Sequence, residues 1–92
     1  MKTVWKYPIS EHVTYNTISV PFGAEPLRIE YQPDGWKMWL LCPLDNNLLG
    51  QMRRFRLVYT GEEIKDRILA YVDTMFLDDG IVIHVFEVEI EE

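Results

Sequence analysis

The sequence predicts a mainly β domain of the α+β class, a small antiparallel β-barrel or sandwich of six to seven strands with one short helix around residues 62–71. Three observations point there. Short stretches alternate apolar and polar side chains with a period of two, and Gly, Pro, Asp or Asn residues separate them. The C-terminal run Ile81-Val82-Ile83-His84-Val85-Phe86-Glu87-Val88-Glu89-Ile90 is dominated by β-branched and aromatic residues, which suit a pleated, half-buried surface. A single stretch, Ile64 to Val72, carries apolar residues at helical spacing. Ninety-two residues make one domain, 1–92, with a modest core.

Taken in order, residues 4–9 form a first strand, with Pro8 placing it at an edge or ending it because proline donates no ladder hydrogen bond. Residues 14–20 alternate Tyr15, Thr17 and Ser19 with Asn16, Ile18 and Val20, a second strand, and Pro21 to Pro26 make a turn. Residues 27–32 point Leu27, Ile29 and Tyr31 inward. The Gln32-Pro33-Asp34-Gly35 turn then returns the chain as the strand 36–42. Residues 43–52, rich in Asn, Asp and Gly, are expected to form a flexible loop. Residues 53–59 set Phe55, Leu57 and Tyr59 against Arg54, Arg56 and Val58. Thr60-Gly61-Glu62-Glu63 has the form of a capping box, and Ile64, Ile68, Tyr71 and Val72 follow on one helical face. Asp78-Asp79-Gly80 turns the chain back so that residues 72–77 pair with the last strand. Apolar on both faces at first and on one face at its end, that strand is expected to start centrally and emerge at a sheet edge.

Apolar residues at 48% and charged residues at 26% exclude a disordered chain. No apolar run is long enough to span a bilayer and the first residues lack a signal-peptide core, so the expectation is a cytoplasmic protein with no membrane partner. The single Cys42, in an apolar run, is expected to be a buried, inert thiol. The net charge of −6 is unevenly spread: residues 1–61 hold seven Lys/Arg against five Asp/Glu, and residues 62–92 hold two against ten. Such a chain is a poor ligand for double-stranded nucleic acid. Its acidic third could meet a basic patch on another protein, or act as a solvated edge that blocks sheet aggregation.

No Gly-rich phosphate loop, paired Cys, helical His-Glu-x-x-His or nucleophile elbow occurs, so no catalytic residue, metal ligand or cofactor is assigned. His84, between Ile83 and Val85, is expected to be a hydrogen-bonded structural histidine, with a general base as the alternative. Arg54 and Arg56 share a strand face and could fork around a phosphate or carboxylate, or pair with Glu87 and Glu89 across strands. Trp36 and Trp39 point to opposite faces, so one is exposed or buried between subunits, and a homo-oligomer is expected. The candidate binding residues are therefore Trp36, Lys37, Trp39, Arg54, Arg56, Glu87, Glu89 and Glu91.

Four motifs carry a resemblance: Trp5-Lys6-Tyr7-Pro8, Pro21-x-Gly23-Ala24, Trp39 in its apolar strand, and His84-Val85-Phe86-Glu87. They resemble a small uncharacterised family of single-domain bacteriophage and prophage proteins. The resemblance implies a viral setting and, by analogy, action through binding in the host cytoplasm. Three functions are weighed, the last and least favoured being an enzyme that uses His84. The first is a non-enzymatic protein-binding module, an inhibitor of a host defence or regulatory protein. The alternative is an oligomer that sequesters a nucleotide, with Arg54, Arg56 and Lys37 on the phosphates and Trp39 on the base.

Overall fold

The computed structural model describes residues 1–44 and 49–91; residues 45–48 of the expected loop lie outside the described residues. Seven strands form two antiparallel sheets: β1 (Lys2–Pro8), β2 (Tyr15–Pro21), β3 (Glu25–Gln32), β4 (Gly35–Pro43), β5 (Gly50–Tyr59), β6 (Ile68–Phe76) and β7 (Val82–Val88). The first sheet has the order β1-β4-β3 and the second β2-β5-β7-β6. The expected β class and strand number hold, and the architecture is an open sandwich: among the described residues no ladder joins the two sheets into a barrel.

Packing follows the alternation. Trp36, Met38, Leu40 and Cys42 of β4 and Ile29 of β3 face Val20, Phe55, Leu57, Met75, Ile83 and Val85 of the second sheet, and these make up the core. Two polar pins cross it. Arg53 forks onto Glu87 (Nε–Oε2 and Nη2–Oε1 both 2.7 Å) and donates through Nη1 to the carbonyl of Ala24 in the turn that leads from β2 of the second sheet to β3 of the first. Asp73, beside a bulge in β6, accepts the Ile29 amide of β3 at 2.7 Å and the Thr74 amide at 2.8 Å, so one carboxylate clasps the neighbouring edges of both sheets.

The expected helix is absent; residues 68–76 are strand and residues 60–67 form an irregular strap. Gly61 takes φ 90°, the Glu62 amide returns to the Tyr59 carbonyl at 3.0 Å, and the Glu62 carboxylate accepts the Tyr59 amide at 3.2 Å. These bonds close a turn where a helix cap was expected. β5 and β6 both run antiparallel to β7, so the connection between them must travel back along the sheet. The strap does so over the outer face, and Arg56, Val58 and Val88 are buried although they point away from the core. Four apolar residues at helical spacing are too few to hold a short helix that the β6–β7 ladder competes with.

β7 lies between β5 and β6 along its whole length, so it does not emerge at an edge. At its end both faces are covered: Val88 is buried as expected, but on the outer face beneath the strap, and Glu87, expected in water, points inward to Arg53.

Candidate functional site

The sequence-derived candidates scatter. Lys37 and Trp39 lie on the outer face of the first sheet. Lys37 pairs with Asp34 at 3.2 Å, and Trp39 is half-buried between Lys6 of β1 and Arg28 of β3. Arg54 and Arg56 lie on the outer face of the second sheet, against Tyr15, with their guanidinium carbons 5.2 and 5.6 Å from its ring centroid. A site using all four side chains therefore requires two subunits.

Arg56 is already committed. It is 8% exposed and pairs with Asp66 (2.7 Å) and Glu62 (3.6 Å) of the strap. Its register partners are Tyr15 and Phe86, and Arg54 faces Thr17 and Val88, so neither arginine stands opposite Glu87 or Glu89. Desolvation works against the Arg56 charge, but Asp66, Tyr15 and Glu62 outweigh it and its pKa is raised. The Tyr15 hydroxyl donates to Asp66 at 2.7 Å; that bond, then Arg56, holds the Asp66 carboxyl below its ordinary value, while the Tyr15 phenol is raised. Glu87 is occupied by Arg53, Glu89 lies 3.4 Å from Arg67, and Glu91 is exposed beside the strap. His84 hydrogen-bonds Thr60 through Nε2 at 2.9 Å and meets Thr74 through Nδ1 at 3.5 Å, with no carboxylate on either nitrogen. Cys42 is fully buried, which raises its thiol pKa.

One of the candidates, Trp36, does line a cavity. At the end of the sandwich where the β3 and β6 edges meet, Glu11, Tyr31, Trp36, Phe76, Leu77, Asp78 and Asp79 enclose about 320 Å³. The cavity continues into a groove along Arg28, Ile29, Glu30, Asp73 and Thr74. Trp36, 9% exposed, is its floor, and Tyr31, its register partner, stands edge-on to it with ring centroids 5.3 Å apart. Phe76 forms the opposite wall and is 71% exposed.

The walls are held firmly. Ile9 donates to the Trp36 carbonyl at 3.1 Å, which carries Ser10 and Glu11 to the rim, and Asn16 bonds both the amide and the carbonyl of Ser10 at 2.9 Å. Leu77 donates to Ile81 at 2.9 Å and Gly80 to Leu77 at 3.1 Å, with Gly80 at φ 84°, so the Asp78-Asp79 turn is closed. The Asp73 clasp joins β3, which carries Tyr31, to β6, which carries Phe76, so both line the same cavity. Sequence reasoning missed Tyr31, Phe76, Glu11, Asp78 and Asp79, since each read as ordinary core, strand, loop or turn. The available signals were Tyr31 and Trp36 flanking the Pro33-Asp34-Gly35 turn, and Phe76 just before the acidic Asp78-Asp79-Gly80 turn.

Fold and site together define a two-sheet β-sandwich with an aromatic, acid-rimmed cleft at one end. Among the described residues no helix is long and apolar enough to cross a membrane, and no group of three or more His, Cys, Asp or Glu is arranged to hold a metal. The chain belongs to the family described as a domain of unknown function (DUF7352), whose model matches residues 1–92. No curated protein and no solved structure matches it.

Proposed function

We propose that this domain is a non-enzymatic protein-binding module that receives its partner in the cleft between β3 and β6. The observation that carries this is Phe76. A large ring left in water on a strand clasped at Asp73, beside a buried tryptophan floor, is the arrangement in which a few aromatic anchors supply most of the binding energy. The phage-type resemblance makes a host defence or regulatory protein the partner class, with the module as its inhibitor, in the host cytoplasm. Photo-cross-linking tests this directly. With p-benzoylphenylalanine at position 76, and separately at exposed Met52 of β5 as the control, irradiation of host cells should give a discrete adduct with another protein from position 76 only. The proposal is overturned if position 76 gives no adduct, if both positions give the same adducts, or if the adduct is twice the chain's 10.9 kDa, which would make the partner a second copy.

A further inference from the structure

The chemistry of the cleft says which part of a partner it would hold. Three carboxylates, from Glu11, Asp78 and Asp79, line the cavity, and the cation of the adjoining groove, Arg28, is paired with Glu30 at 3.3 Å. Among the described residues neither Asp78 nor Asp79 has an ion-pair partner, and the neighbour of Glu11 is His12 at 3.8 Å. One oxygen of Asp79 accepts the Ile81 amide at 3.2 Å, which fixes the carboxylate in place. Elsewhere Glu30, Asp34, Glu62, Asp66, Glu87 and Glu89 each face a cation, while among the described residues Glu25, Glu63 and Glu91 do not.

Acids on a turn and a loop are by themselves a solvated rim. Here they surround three aromatic side chains, and the electron-rich faces of Tyr31, Trp36 and Phe76 attract positive charge as the carboxylates do. An anion would be repelled by all three carboxylates of the cavity, and the adjoining Arg28 is already paired with Glu30. A neutral apolar side chain would leave the carboxylates desolvated and unpaired. A cation on an aliphatic stem satisfies both: the stem packs on the rings and the charged head reaches the rim.

Resting on the protein-binding reading above, we propose that the cleft is a receptor for a positively charged side chain of an extended basic segment in the partner, arginine before lysine. Arginine fits better because its planar guanidinium stacks on an aromatic face while its donors fork onto carboxylates.

The test uses the full chain, labelled with nitrogen-15, and three blocked peptides: acetyl-(Gly-Arg)3-amide, its lysine counterpart, and its citrulline counterpart, which keeps the shape of arginine without the charge. The arginine peptide should bind at least tenfold more tightly than the citrulline peptide and no more weakly than the lysine peptide. Its amide shifts should centre on Tyr31, Trp36, Phe76, Asp78 and Asp79, and binding should weaken with added salt. Asp78→Asn/Asp79→Asn should lose at least tenfold in affinity with an unchanged urea midpoint, and Phe76→Ser should also bind more weakly. Equal affinity for the citrulline peptide overturns the inference. So do shifts centred near Glu63 and Glu91, or an unaffected double variant; tighter lysine binding overturns the preference for arginine. The two proposals fail separately. A cross-link to another protein with no charge discrimination leaves the binding module standing, and charge-selective binding without a cross-linked protein leaves only the cation receptor.

Discussion

Replacing Glu87 with alanine is expected to come close to unfolding this domain. Arg53 and Glu87 are 13% and 12% exposed at the side chain and meet through two parallel bonds of 2.7 Å, and the third arm of the guanidinium reaches the Ala24 carbonyl across the core. Removing the carboxylate leaves a buried cation with one backbone acceptor, and losing one partner of such a pair costs about 3–5 kcal/mol. A domain of this length has roughly 5–14 kcal/mol in total at about 0.05–0.15 kcal/mol per residue. The variant should therefore lose from about a fifth to nearly all of its stability, with a melting temperature lower by about 12–40 °C at about 4–8 °C per kcal/mol. Urea unfolding at pH 7 measures this, with the midpoint falling and the slope unchanged. Two controls sharpen it. Glu89→Ala, in an exposed pair with Arg67, should cost less than about 1 kcal/mol. Arg53→Met/Glu87→Leu, which removes both charges, should recover most of the loss, because the cost lies in the orphaned charge. A Glu87→Ala loss below about 1 kcal/mol, or a double variant as unstable as the two single ones added together, would refute the reasoning.

Other outcomes follow from the same geometry. Asp66 is held below its ordinary value, so its contribution is complete above about pH 4, where the unfolded carboxyl is ionised, and is lost as pH falls through the folded value; Tyr15 is raised, so its contribution is complete below about pH 10 and is lost as pH rises through the folded value. Asp66→Asn should lower stability by about 1.5–3 kcal/mol at pH 7 and by progressively less in acid, read from urea midpoints at several pH values. Asp73→Ala frees the Ile29 and Thr74 amides at once and should cost at least about 1.5 kcal/mol, with faster amide exchange at both positions. Phe76→Ser should change stability by no more than about 0.5 kcal/mol, since the ring is exposed, while weakening the binding measured in the cleft. Cys42 should react with a thiol reagent only when the protein unfolds, so its labelling rate should track urea concentration.

Much of the fold was legible because it is local. The period-two alternation of β5, the Pro33-Asp34-Gly35 turn with Gly35 at φ 121° and the Asp78-Asp79-Gly80 turn each carry their instruction within a few residues. What could not be read depends on neighbours far along the chain. Ile64, Ile68, Tyr71 and Val72 match a helix only until β7 is present to pair with residues 68–76. Glu87 looks like the wet side of a strand until Arg53, 34 residues away, is placed under it. Leu27 and Tyr31 share the alternation of Ile29, but a bulge between Pro26 and Arg28 and an edge position leave them half in water. The cleft was least legible. Its lining comes from the loop after β1, the β3–β4 hairpin and the β6–β7 turn, which nothing in sequence order brings together.

The acidic bias of the last third has a different meaning once its partners are subtracted. Glu62 and Asp66 hold Arg56, Glu87 holds Arg53, Glu89 faces Arg67, and Asp73 is occupied by two backbone amides. Most of the excess is therefore internal, and it fastens the strap, the core pin and the edge clasp. Among the described residues of that third, Glu63, Asp78, Asp79 and Glu91 remain without an ion-pair partner. Glu63 and Glu91 share a pocket of about 380 Å³ with Arg56 and Lys65, so their field is partly cancelled. Asp78 and Asp79 have no such neighbour and stand instead against exposed Phe76 and the Tyr31–Trp36 pair. Charge steers an encounter and selects its sign, but anchors buried on contact supply the energy. The cleft brings both together with its carboxylates unpaired among the described residues, which is why the search for a partner starts there and not along the C-terminal strand.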